Sequence, residues 1–216
     1  MIVSFNELDA TVRKAFRGAG YHWGEAEEAG KAALWLARNK IASASIALGL
    51  LKSTGGDVAR FRPSPDRRSW SKEGSTLCPL LTGIMLADDA PRMVDGEHID
   101  FAALHAPGFL LPFLGQLAGE AGLEFRLSLP RLDVTISAHA VSLSGPPDAL
   151  AIPSSASISA FRRVAKSTPD FTARAYSTEV SSDDWDRLND LAAKTYVPAS
   201  DRSRSSGAGA GLVDSD

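Results

Sequence analysis

The hydrophobic period changes partway along this chain, and that change limits the fold more than any single motif does. Near the start, Leu8, Val12 and Phe16 recur every four residues, the spacing of one face of an α-helix. Later, Phe125, Leu127 and Leu129 alternate with Glu124, Arg126 and Ser128, the spacing of a half-buried strand. Val134, Ile136 and Ala138 alternate as well, as do Val141 and Leu143, with a phase slip near His139 and Ala140 that implies a bulge or tight turn. Helices, then strands, then a closing helix predict an α+β domain with a mostly antiparallel sheet.

The first helix carries the strongest start signal. Ser4 as N-cap and Glu7 three residues on make a capping box, with Val3 and Leu8 placed as a hydrophobic staple. Gly18 or Gly20 ends it. A second helix is expected over about Gly24 to Asn39, with Ala26, Ala29, Ala33 and Leu36 on one face and Gly30 beside it, and a third over about Ala42 to Lys52. Residues 53–74 hold two prolines, three glycines and alternating charges, and read as a long loop. Its arginines (Arg60, Arg62, Arg67, Arg68) give two readings, a solvated loop or a cover over an anionic ligand.

The apolar run 78–90 fits a buried helix with Pro79 in its first turn, or a buried strand. A strand at His98 to Leu104, an apolar helix at Pro107 to Glu120 ended by Gly122, and strands at Ile158 to Val164 and Phe171 to Tyr176 follow. Ser181, with Asp184 three residues later, caps a last helix that Pro198 ends. The organisation expected is a single domain over 1–216. A helical part (1–53) packs on a sheet-and-helix part (75–196) across the loop 54–74, and a Gly/Ser-rich tail (197–216) follows.

Composition narrows the partner classes. A formal charge of -3 over 216 residues, with pI near 5.8, argues against a dedicated nucleic-acid binder. One cysteine, Cys78, excludes an internal disulfide framework and a cysteine-rich zinc site, and points to a reducing cytoplasm. No apolar run reaches the roughly 18 residues of a membrane span.

Candidate chemistry concentrates in Gly18 to Lys40, GAGYHWGEAEEAGKAALWLARNK. A phosphate-loop reading of Gly18-Ala19-Gly20 fails, because no strand precedes the glycines and Glu25, Glu27 and Glu28 would repel a phosphate at the helix start. The glutamates read as helix-start electrostatics with a Glu27–Lys31 pair. Alternatively, Glu27 or Glu28 is a catalytic acid or base in a partly dry pocket between Trp23 and Trp35, with His22 alongside. His105, before Ala106-Pro107, is a ligand-contact candidate. Asp95, Glu97, His98 and Asp100 are dense enough to suggest a cation, but a solvated strand entry is the reading taken, and no metal site is assigned. Cys78 is either inert and buried or activated at a helix start. In the tail, Arg202 and Arg204 precede Gly207, Gly209 and Gly211, a composition that suits a disordered end or an anion nest.

WGEAEEAGKAALWLA near the start and TYVPASDRSRSSGAGAG at the end resemble an uncharacterised bacterial domain-of-unknown-function family, number 3726. The resemblance implies no activity and no cofactor. It implies that the tail belongs to the domain, folded back over the Trp23–Trp35 region. The leading expectation is a cytoplasmic domain that binds a small anionic metabolite, with enzymatic turnover left open. The alternative is a non-catalytic accessory protein that docks a protein partner, a metabolic enzyme, through the apolar helix at 108–118. No nucleic acid and no membrane are expected as partners.

Overall fold

A computed structural model describes residues 1–89, 94–162 and 175–196. Ser4 begins the first helix in the way its sequence requires. Its backbone is extended, its Oγ accepts from the Glu7 amide at 3.2 Å, and its own amide donates to Glu7 Oε2 at 2.9 Å. Hydrogen bonding of the Ser4 side chain and of the Ser4 amide to its carboxyl holds Glu7 below the usual carboxylate range. Helix α1 (Phe5–Gly18) buries Leu8, Val12 and Phe16, the three residues of the periodic stripe.

Helices α2 (Trp23–Arg38) and α3 (Ser43–Thr54) follow by short turns. The small-residue face of α2 meets α1, and a Cβ on Gly30 would collide with the Asp9 carboxylate. The chain then makes two short 3-10 turns, at Val58–Phe61 and Arg67–Ser69, within the stretch expected to be a long loop. Trp70, which follows them, is fully buried. Its ring stacks on Phe101 (centroids 5.6 Å apart, 17° between planes), its indole N–H donates to the Ser64 carbonyl at 2.9 Å, and its own carbonyl accepts from the Ala102 amide. The segment is pinned to the core by an aromatic side chain that has no periodic neighbour in the sequence.

The apolar run after Cys78 is helix α4 (Pro79–Asp88), with proline at its start. Apolar residues 107–121 divide into a 3-10 turn, Pro107–Leu110, and helix α5 (Leu111–Ala121), which Gly122 stops in a left-handed conformation. Helix α6 (Ser182–Ala193) starts at Ser181, whose side chain accepts from the Asp184 amide.

The five-stranded sheet holds β2 (His98–Leu104), β3 (Leu123–Leu129), β4 (Leu132–Ile136), β5 (Val141–Ser144) and β6 (Ser154–Arg162) in the order β2-β6-β3-β4-β5. Every pairing within it is antiparallel. One face, with Phe125, Leu127, Val134, Ile136 and Ile158, is buried; α5 packs on β3 and β4. The other face carries Glu124, Arg126 and Ser128, as the alternation required. The phase slip resolves into a turn in which Ser137 and Ala140 bond each other.

A two-stranded ribbon pairs β1 (Ile2–Ser4) with β7 (Ser177–Glu179) antiparallel. The strand expected at Phe171 to Tyr176 falls largely outside the described residues, and the paired strand begins at Ser177. The ribbon starts directly beside the first turn of α1, where the Phe5 amide donates to the Tyr176 carbonyl at 3.0 Å. That juxtaposition forms the cleft described next.

Candidate functional site

Helices α1 and α2 end with the same backbone device. After α1, the Gly20 amide donates to the Arg17 carbonyl and the Tyr21 amide to the Phe16 carbonyl, at 3.0 and 3.1 Å. After α2, the Lys40 amide donates to the Ala37 carbonyl and the Ile41 amide to the Leu36 carbonyl, at 3.0 and 2.9 Å. Both are Schellman motifs, which need a left-handed residue at the first position past the cap. Gly20 takes it with φ 97°; Lys40 takes it with φ 59°. For a residue with a Cβ that conformation costs roughly 1–2 kcal/mol. A lysine therefore stands where the preceding turn uses the unstrained residue.

Lys40 lies at the rim of a cleft of about 1380 Å³. One wall is the start of α1 (Ser4, Phe5, Asn6), the second is the end of α2 (Ala37, Arg38, Lys40, Ile41), and the third is the ribbon from Tyr176 to Glu179. Arg38 and Lys40 are exposed, and neither forms an ion pair among the described residues. The Arg38 guanidinium lies over the Phe5 ring, 5.7 Å from its centroid, so an aromatic face sets its direction. Two cations face one carboxylate, Glu179, in a chain that is acidic as a whole. Hydroxyls and amides from Ser4, Asn6, Ser177 and Thr178 supply neutral hydrogen-bonding groups, and Ile41, Phe5 and Tyr176 supply apolar surface.

The residues singled out from the sequence lie elsewhere. Trp23 is 63% exposed at the start of α2, with the Arg17 guanidinium 4.7 Å from its ring centroid. His22 is exposed and is the N-cap of α2. Glu27 is exposed, so the dry pocket expected around it does not exist among the described residues. Glu28 is half-buried and pairs with Lys31 at 2.6 Å, so the lysine's partner is Glu28, where Glu27 was expected. The pair holds the Lys31 ammonium above its ordinary range.

Trp35 lies on a different side from Trp23. It lines a shallow groove of about 240 Å³ with Glu28, Lys31, Phe113 and Gln116, and its indole packs against Gly115, where a Cβ would come within 2.7 Å. Of the three glutamates, Glu25 is the one with a built environment. Burial opposes its ionisation, but the His22 amide (2.9 Å) and the Arg62 guanidinium (2.5 Å) outweigh that and hold the carboxyl below the usual range. A carboxylate so held is a structural anion, not a proton acceptor for neutral pH.

His105 is buried, with no hydrogen-bond partner for either ring nitrogen among the described residues. Cys78 is buried 3.6 Å from the Tyr21 hydroxyl, and burial pushes its thiol up, which makes it an inert cysteine. Asp95 accepts from the Arg162 amide, Glu97 pairs with Arg67, and Asp100 with His98. Among the described residues, no three His, Cys, Asp or Glu side chains are grouped to hold a metal. Arg202, Arg204, Gly207, Gly209 and Gly211 lie outside the described residues. The apolar side chains offered as a docking face (Phe109, Leu110, Leu111, Phe113, Leu114, Leu117) are all buried in the core, so these six side chains do not form an exposed apolar face.

Sequence reasoning missed Arg38 and Lys40. A signal was present: Phe16 to Tyr21 and Leu36 to Ile41 terminate successive helices at the same spacing, and only the first has a glycine. No helix among the described residues is long and apolar enough to cross a membrane. Residues 3–72 match a family model described as Protein of unknown function (DUF3726). The family that the sequence resembles is therefore the family it matches, across α1, α2, α3 and both walls of the cleft that they build; the tail motif lies beyond the matched residues. No curated protein and no solved structure matches the chain.

Proposed function

We propose that this protein binds a small anionic metabolite in the cleft between the end of α2 and the β1–β7 ribbon. Lys40 and Arg38 contact the anionic group, and Phe5, Ile41 and Tyr176 take the apolar part of the ligand. The observation that carries the reading is the left-handed backbone of Lys40. A strained position is retained where the side chain is needed, and here that side chain is a cation at the rim of the cleft. Arg38 two residues earlier adds a planar donor fork suited to a carboxylate or phosphate. The cytoplasm, where such metabolites are abundant and a lone thiol stays reduced, is the compartment proposed.

Lys40→Gly separates this role from a structural one. Glycine relieves the strain, so the variant gains about 1 kcal/mol and melts about 2–4 °C higher. The same change removes one charge-assisted contact and weakens the anion roughly tenfold or more. Thermal unfolding and calorimetric titration with a panel of small carboxylates and phosphates check both halves. A variant that is more stable and binds as tightly as the parent would reduce Lys40 to a helix stop.

A further inference from the structure

We propose that His105 is a proton-operated latch: while neutral it lets the segment from Val58 to Cys78 seal against the end of β2, and its protonation releases that segment. Three pieces of chain meet at this residue. The His105 amide donates to the Leu77 carbonyl, the Leu77 amide to the Ala103 carbonyl, and the Cys78 amide to the Phe61 carbonyl, at 3.0, 3.0 and 2.8 Å. Leu77 and Leu104 form a parallel bridge between them. The imidazole meets the Phe61 ring edge to face, with centroids 4.5 Å apart and 88° between the planes.

The ring is closed off yet unsatisfied. His105 is 8% exposed, and neither Nδ1 nor Nε2 has a hydrogen-bond partner among the described residues. Native structures leave few buried polar groups unpaired, and such exceptions call for a reason. The next residue adds a second outlier, since Ala106 is a buried non-glycine residue at φ 41°. Strain beside an unpaired polar group marks a segment held by its surroundings, not by its own preferences.

Among the described residues, the groups beside the ring supply no anion to stabilise a cation. On the Val58–Phe61 turn, Arg60 lies over the Phe61 ring, 5.6 Å from its centroid. Arg62 beyond it is already paired with Glu25. The segment at 77–78 brings the Cys78 thiol with the Tyr21 phenol, both kept protonated by burial. Helix α4 carries no ionisable side chain other than Asp88 at its far end, and the Pro107–Leu110 turn carries none. No carboxylate pairs with His105 among the described residues.

Burial depresses the His105 imidazole below its ordinary value of 6.5. The sign follows from that direction. Above pH 6.5 both closed and open forms hold a neutral ring, and the seal is at full strength. Below 6.5 the open form binds a proton that the closed form resists, so the opening constant grows about tenfold per pH unit until the depressed value is reached.

Hydrogen exchange on the full chain between pH 7.5 and 4.5, corrected for intrinsic rates, tests this. The Leu77, Cys78 and His105 amides should lose protection about tenfold per unit below pH 6.5, while the Phe125 and Leu127 amides of the sheet do not follow. His105→Phe should abolish that dependence. If the variant does not fold, the imidazole signals of the parent protein decide: the ring should become protonated only as the segment opens. Protonation near pH 6.5 with protection intact, or a pH dependence that survives in His105→Phe, would overturn the latch.

Discussion

Replacing Leu110 with aspartate unfolds this protein. Leu110 is fully buried at the joint between the Pro107–Leu110 turn and α5, with Phe109 and Leu111 buried on either side. The change forfeits about 1.5–3 kcal/mol of apolar burial. It also places a carboxyl in a fully buried apolar position, which costs several kcal/mol more whether the group ionises or takes up a proton. The sum approaches the 5–15 kcal/mol that separates folded from unfolded chains. Circular dichroism should show an unfolded spectrum at 25 °C and no cooperative transition on heating. A Leu110→Asp chain that melts like the parent would put residue 110 on the surface and return the apolar helix to service as a docking face.

Trp70→Ala is the second large effect. It removes a fully buried ring stacked on Phe101 and leaves the Ser64 carbonyl without its indole donor. Truncations of this size cost about 3–5 kcal/mol. For a chain of this length that lowers the melting temperature by on the order of 10 °C. A loss under about 1 kcal/mol would mean that residues 53–74 are the solvated loop their composition suggests.

These two residues mark what a sequence reader can and cannot see. The start of α1 was legible because its signals are local: Ser4, Glu7, Val3 and Leu8 lie within six residues of one another. The alternation at Phe125 to Leu129 was legible because the sheet has one wet face. Trp70 was not, since its partners Phe101 and Ala102 are about thirty residues away and the loop around it has no period. The large residues of 109–117 looked too numerous for one buried stripe. They are all covered because the turn and α5 are enclosed by α4, α2, α3 and the sheet together.

The candidate site was the least legible part, for a similar reason. Glu27, Glu28, Trp23 and Trp35 are close in sequence, but helical rotation sends Trp23 toward Arg17 and Trp35 toward Gly115. The cleft instead joins residues 4–6, 37–42 and 175–179, which only the folded ribbon brings together. Lys40 gave no charge pattern of its own. Its meaning comes from a backbone angle, and a backbone angle is not written in composition.

The most direct test of an anion site at this cleft is an amide-resolved NMR titration of the whole chain. The panel is small mono- and dicarboxylates, phosphate and phosphomonoesters at constant ionic strength. The account predicts saturable shifts from at least one anion at Ser4, Asn6, Lys40, Ile41, Ser177 and Thr178, with the sheet and the Trp35 groove unmoved. Saturable shifts centred on Glu28, Trp35 and Gly115, or none from any anion, would contradict it.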